Sequence, residues 1–247
     1  MTVYSRYNDE LVSHLAKLDL LVVEDYLAWF PFRDFIGIKE IGHGASAKVV
    51  LTTIISSRST PPTGAMRILG LSQNPEHTDK YIMVMEFAEG GDLNHYSVLN
   101  GHNWSRICAL AWRMAVGLEA SVHQAGLVHG DLHGGNIVFT YGSTAGARRL
   151  VPRIIDVGLS RAVGRIYTSE ETLGNPAYVP PEHFTEGIAC KTKPSYDVYC
   201  FGTLMWQLVA GVPPRGTSLN SKRENRMREE PIPGAPDEYM AVIHACW

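Results

Sequence analysis

Four cysteines are all that the 247 residues carry, and Cys108, Cys190, Cys200 and Cys246 show neither paired spacing nor a metal-ligand pattern. A disulfide scaffold is excluded, and free thiols fit a reducing compartment, so a soluble, cytoplasmic protein is expected. Long hydrophobic runs are also missing. No stretch approaches the roughly 20 apolar residues that span a bilayer, and Met1 to Asp9 is polar with no apolar signal core, so no membrane association is expected. Charge of one sign is scarce too. A formal net charge of -3 leaves no electrostatic footprint for nucleic acid. The one basic cluster, Lys222, Arg223, Arg226 and Arg228, alternates with Glu224, Glu229 and Glu230, as a solvated face does. What remains is a chain with 45% hydrophobic residues, long enough for one large domain or two small lobes.

The most informative stretch runs from Leu127 to Val138. An apolar pair leads into His129, Gly130 and Asp131, and Asn136 follows before the apolar run Ile137, Val138 and Phe139. This is a strand–loop–strand pattern in which glycines hold one carboxylate and one carboxamide at fixed separation. A carboxylate can accept a proton from an alcohol, and an amide oxygen can ligate a hard cation such as magnesium.

Around that loop the chain reads as alternating short elements. Leu11, Leu15, Leu18 and Val22 fall at helical spacing, predicting an amphipathic helix within about Asp9 to Trp29, stopped by Pro31. Phe35–Glu40 and Val49–Ile55 read as strands flanking the glycine-rich turn at Gly42 and Gly44. Glycines there let backbone amides approach a phosphate, although an ordinary hairpin turn accounts for them equally. Arg67–Leu71 and Tyr81–Phe87 read as a strand pair joined through Asn74 and Pro75. Trp104–Gln124 is the clearest helix, with Ile107, Leu110, Ala111, Met114, Leu118 and Val122 on one stripe, Asn103 placed to cap it and Gly126 after it. Arg153–Gly158 reads as a short strand ending in Asp156, Asp197–Val209 as a second apolar helix, and Glu238–Trp247 as the start of a third.

In this order the motifs resemble the protein kinases. A Gly-rich hairpin precedes Met83-Val84-Met85-Glu86-Phe87, which looks like the hinge. His129-Gly130-Asp131 with Asn136, then Asp156-Val157-Gly158, then Pro180-Pro181-Glu182, then Asp197 through Gly202 complete the set. The wording at 26–32 is similar to the tyrosine-kinase-like sets expanded in some fungi. The resemblance implies an α+β, bilobal fold. Residues 1–33 would be a helical extension, about 34–87 a small β-rich lobe and about 88–247 a larger, mostly helical lobe. It implies ATP and Mg2+ as cofactors and phosphoryl transfer to a serine, threonine or tyrosine hydroxyl of an unspecified protein. Asp131 would be the base, and Asn136 and Asp156 the metal ligands. Ile41, Gly42, Gly44, Val49 and Val138 would enclose the nucleotide, and the backbone at Glu86 and Ala88 would bind the adenine. Met85 would line the back of the pocket, and Asp92 would meet the ribose. Asp197 would brace the catalytic loop backbone.

The departures are as informative. Pro61, Pro62 and Thr63 stand where the family carries a lysine on its third strand, and the helix that supplies its glutamate partner is absent. Loss of a central strand is expected to leave sheet edges unpaired or to force a new pairing. A lysine about 4 Å from a phosphate contributes up to about 4 kcal/mol at an effective dielectric near 20, on the order of a thousandfold in rate. Gly130 replaces the arginine that pairs with an activation-loop phosphate. His133 and Asn175 replace the lysine and threonine of serine/threonine kinases. The sequence stops at Trp247, before the family's last helix, which is expected to strip apolar cover from the helix at 197–209. Two alternatives stand beside the protein kinase reading. One is a pseudokinase acting as a binding module. The other is a small-molecule phosphotransferase of the aminoglycoside or choline kinase type, whose loop His129–Asn136 also resembles.

Overall fold

Asp9 and Glu10 open the first helix and Lys17 closes it, charges of the sign that each end of a helix dipole favours. The computed structural model describes residues 9–21, 27–43, 48–54, 66, 68–96, 103–144, 147–168, 174–184, 189–214 and 229–247. The chain divides into two compact units, one ending at Phe87 and the other spanning Ala88–Trp247.

In the first unit, α1 (Asp9–Lys17) buries Leu11 and Leu15 against Trp29 and Leu71. The helix is shorter than its apolar spacing predicts. Leu20 N–H turns back to Leu15 O at 2.9 Å, Asp19 takes a φ of 56°, and Leu18 is left exposed. Val22 lies outside the described residues. The reason is tertiary. Ala28–Trp29 extends as β1 and pairs parallel with β4 (Ile68–Ser72), Ala28 opposite Gly70 and Trp29 opposite Leu71. A Cβ at position 70 would collide with Ala28 O, so this pairing requires glycine there. On its other edge β4 pairs antiparallel with β5 (Ile82–Met85), the strand pair read from the sequence. The expected new pairing therefore takes the form of a strand lent by the N-terminal segment. His14 on α1 stacks on Trp29 with ring centroids 4.2 Å apart, and its Nδ1 bonds the Tyr81 hydroxyl at 2.9 Å. β2 (Phe35–His43) and β3 (Lys48–Ile54) form a separate hairpin, irregular after Ile36, where Gly37 takes a φ of 65°.

The second unit is organised around α2 (Trp104–Ser121). Asn103 accepts Arg106 N–H at its start, and a one-turn 3-10 helix, His123–Ala125, ends it at Gly126, φ 72°. All six residues of the predicted stripe are buried. After β6 (Leu127–Val128) comes a hairpin of β7 (Ile137–Thr144) and β8 (Ala147–Ile154). The strand read from Arg153 onward actually begins at Ala147, hidden by Arg148, Arg149 and Pro152. Pro152 lies opposite Phe139, whose own N–H and C=O bond Gly91 O and Gly90 N at 2.8 Å each. The pair is thus a non-hydrogen-bonded one, and the missing proline N–H costs nothing.

β9 (Arg161–Ala162) pairs with β6, and β10 (Ile166–Thr168) pairs with β11 (Ala189–Lys191). α3 (Pro194–Ala210) is almost wholly buried, with proline in its first turn and Gly211 at its end. α4 (Asp237–Cys246) then packs on it. The expected loss of apolar cover does not occur. Tyr239 and Ile243 are buried in the core with α3, Tyr239 donates to Met205 O at 2.9 Å, and Trp247 Nε1 donates to Thr203 Oγ1 at 3.1 Å. Gly202 admits this contact, since a Cβ there would stand 2.7 Å from Cys246 Cβ.

Candidate active site

Three glycines and two histidines turn the chain between β6 and β7 within eight residues, and long-range bonds define the shape. Asp197, fully buried in the first turn of α3, accepts His129 N–H on Oδ2 at 2.7 Å and Gly130 N–H on Oδ1 at 3.0 Å. His123 Nε2 also meets Asp197 Oδ2, at 2.9 Å. A buried carboxylate is stable only with such a full set of donors. This brace is the one the resemblance implied.

His129 is the second organiser. Its Nδ1 accepts Asp131 N–H at 3.3 Å, so the ring proton sits on Nε2 and is donated to Ile155 O at 3.0 Å. Ile155 N–H in turn donates to Asn136 O at 3.0 Å, and Asn136 Nδ2 donates to Asp131 O at 2.9 Å. Through these bonds Asp131, Asn136 and the residue beside Asp156 form one connected unit. Asn136 is buried, and its amide Nδ2 donates to Asp131 O, which leaves the carboxamide oxygen as the atom that could ligate a cation. Asp156 holds a φ of 61°, rare outside glycine, with Oδ1 accepting Gly158 N–H at 3.2 Å.

The base candidate Asp131 is part-exposed. Oδ1 accepts Asn175 N–H at 3.2 Å, and Oδ2 lies 3.8 Å from His133 Nε2. Gly174, φ 130°, is needed for this closure, because a Cβ would stand 3.2 Å from Asp131 Oδ1. His133 Nδ1 accepts Gly135 N–H at 3.0 Å and so caps the turn that carries Asn136. Burial lowers the His133 pKa, against the opposing pull of Asp131.

Beneath the loop, Tyr178 donates to Gln207 Oε1, and Gln207 Nε2 donates to Asn94 Oδ1 at 3.0 Å. Gly134 fits under both, since a Cβ would collide with Asn94 Oδ1 and stand 2.7 Å from Gln207. Burial pushes the Tyr178 hydroxyl up to about 12. Sequence reading missed Gln207, Asn94 and the cap by His133. Gln207 and Asn94 sit 113 positions apart, and no local pattern joins them.

Three other nucleotide-binding candidates belong to this unit. Val138 is buried and bridges Asp92, while Asp92 Oδ1 accepts both His95 N–H at 3.0 Å and His95 Nδ1 at 2.6 Å. Ala88 O accepts Gly91 N–H at 3.2 Å. The remaining candidates lie in the first unit or at its end. Gly42 and Val49 face each other across β2 and β3, Ile41 is on β2, and Gly44 lies outside the described residues. On β5, Val84 is buried and Met85 is exposed, with Glu86 just beyond the strand.

The donor set suits magnesium. Among the described residues no group of three or more His, Cys, Asp or Glu could enclose a metal ion. One carboxylate and one carboxamide oxygen, with the remaining positions left to phosphate and water, is how Mg2+ is commonly held.

The family model for the protein kinase domain matches residues 62–238. The chain belongs to the protein kinase family. It is 29% identical over 224 residues to the rice protein named salt tolerance receptor-like cytoplasmic kinase 1, covering 75% of this chain and 60% of that one. It is 31% identical over 169 residues to the serine/threonine-protein kinase PkaA of Streptomyces coelicolor, covering 66% and 30%. It is 32% identical over 149 residues to rice calcium-dependent protein kinase 20, covering 60% and 25%. The chain thus spans less than two thirds of the length of these relatives. Among the described residues, no helix of this kinase-family chain is long and apolar enough to cross a membrane.

Proposed function

We propose that this chain transfers the terminal phosphoryl group of ATP to a serine or threonine hydroxyl of a protein. The observation that carries the reading is the hydrogen-bonded unit joining Asp131, Asn136 and Ile155, with Asp156 next in the chain. Asp131 Oδ2 accepts the hydroxyl proton, and its other oxygen stays fixed by Asn175 N–H. Asn136 and Asp156 hold Mg2+, which when bound neutralises charge on the phosphoryl oxygens. Ile41, Gly42, Gly44, Val49, Met85, Glu86, Ala88, Asp92 and Val138 hold the nucleotide on this reading. The relative named as a serine/threonine-protein kinase supports hydroxyls of that class over tyrosine. The test is phosphate transfer from labelled ATP to dephosphorylated casein by the full chain, with Asp131→Asn as control. Equal incorporation by both proteins removes the claim.

One observation favours a second reading, a non-catalytic binding module. Between Val49 and Met85 the only lysine is Lys80, which lies just before β5 rather than on a strand. On this reading ATP with magnesium still raises the melting temperature, since a ligand stabilises the state that binds it, while transfer stays at the control level.

A further inference from the structure

Tyr167 has no part in the site described so far, yet it is buried on β10 and engaged through both its hydroxyl and its ring. The hydroxyl meets His183 Nδ1 at 2.6 Å, the two rings lie parallel, and the Arg161 guanidinium stands 4.6 Å from the Tyr167 centroid. Burial lowers the His183 pKa and pushes Tyr167 up to about 12, so at neutral pH the bond joins two uncharged groups. The backbone of Tyr167 is fixed as well, by pairing with Cys190 of β11.

His183 leads from Tyr167 to the base candidate. It lies in the 3-10 turn Pro181–Phe184, and its N–H donates to Pro180 O at 3.1 Å. The same segment begins at Gly174 and Asn175. There Asn175 N–H holds Asp131 Oδ1 at 3.2 Å, and Asn175 accepts Ala177 N–H on its side chain and Tyr178 N–H on its carbonyl. His183 also packs edge-on against Tyr196, with centroids 4.8 Å apart, and the Tyr196 hydroxyl stands 3.6 Å from where a Cβ on Gly174 would lie. Two routes, one along the chain and one across Tyr196, therefore join the Tyr167–His183 bond to the contact on Asp131.

We propose that Tyr167 is a positioning residue of the transfer: its bond to His183 fixes the segment 174–184 and so keeps Asn175 N–H on Asp131 Oδ1, leaving Oδ2 aimed at the acceptor hydroxyl. The inference rests on the phosphotransfer reading given above. Tyr167 touches neither nucleotide nor acceptor and exchanges no proton. Without its bond Asp131 turns about its side-chain torsion, so the orientation of the base is lost while the binding of ATP is kept.

Tyr167→Phe deletes the hydroxyl and keeps the ring, its strand pairing and its contact with Arg161. With the full chain, ATP, magnesium and casein, its kcat should fall about tenfold, as when one positioning hydrogen bond is lost, with KM for ATP at the parental value. Hydrogen exchange should be faster at Asn175 N–H and unchanged at Val122 N–H, which bonds Leu118 O at 3.1 Å in the core of the same unit. Equal acceleration at both marks plain destabilisation and overturns the inference. His183→Leu removes the other half of the bond. The double variant should lose no more kcat than either single one, as two halves of one contact do. A double loss equal to the product of the single losses, an unchanged kcat in Tyr167→Phe, or unchanged exchange at Asn175 also overturns the inference and leaves the phosphotransfer reading standing. A parent no more active than Asp131→Asn sinks that reading, and this inference with it.

Discussion

Asp197 accepts the backbone N–H of His129 at 2.7 Å from 68 positions further along the chain, on a side chain with no solvent exposure. The same carboxylate takes Gly130 N–H and meets His123 Nε2. Asp197→Ala strands the buried His129 N–H and the part-buried Gly130 N–H, and a buried donor left unsatisfied costs about 1–3 kcal/mol. A loss of roughly 3 kcal/mol or more is expected in urea denaturation of the second unit, with phosphotransfer abolished. Parental stability would show that the loop is held by something else.

Gly70 tests the borrowed strand. Alanine at this position meets Ala28 O, so β1 must leave β4. A destabilisation of about 2 kcal/mol is expected, confined to the first unit. Hydrogen exchange should show faster exchange of Phe30 N–H, which bonds Leu71 O at 2.9 Å. Unchanged protection at Phe30 would contradict the pairing.

Asp156→Asn separates charge from backbone. Asparagine tolerates the φ of 61° and can still accept Gly158 N–H, so stability should stay within about 0.5 kcal/mol. On the proposed reading Asp156 is a magnesium ligand, so removing its carboxylate is expected to reduce transfer by about a hundredfold. Thermal melts and magnesium titrations of activity check the two halves. A full rescue by added magnesium would leave the carboxylate affecting affinity alone.

Stability should fall on both sides of neutral pH. Burial lowers the pKa of His183, whose Nδ1 meets the Tyr167 hydroxyl at 2.6 Å, so the unfolded chain binds the proton more readily. Its contribution is therefore complete above about 6.5 and is lost as pH falls below that value. His14 and His133 shift the same way, so His183→Gln should make the acid limb of a Tm–pH curve shallower without removing it. On the alkaline side, burial pushes Tyr167 and Tyr178 up to about 12. Their contribution is intact below about 10 and is lost between there and about 12. An acid limb unchanged in His183→Gln would remove His183 from the account.

Local chemistry made several elements legible. Asn103 and Gly126 bracket α2 because side-chain capping and positive φ are properties of single residues. The six-residue stripe was visible because burial on one helix face imposes its period on the sequence. Residues 9–29 misled because their apolar spacing supports a helix, while the empty edge of β4 needed an extended chain. β8 was obscured because Pro152 is tolerated only where Phe139 turns its polar groups toward Gly90 and Gly91.

The order of residues alone pointed to the family and put Asp131 and Asn136 in one short loop, since a loop of fixed length between two apolar strands holds its own ends at fixed separation. Folding alone decided how the carboxylates are held. Asp197, Gln207 and Asn94 reach the loop from distant parts of the chain, and Asn175 N–H closes over Asp131 from 44 positions away. Such contacts leave no periodic trace, because each needs only one residue in the right place once the core has formed.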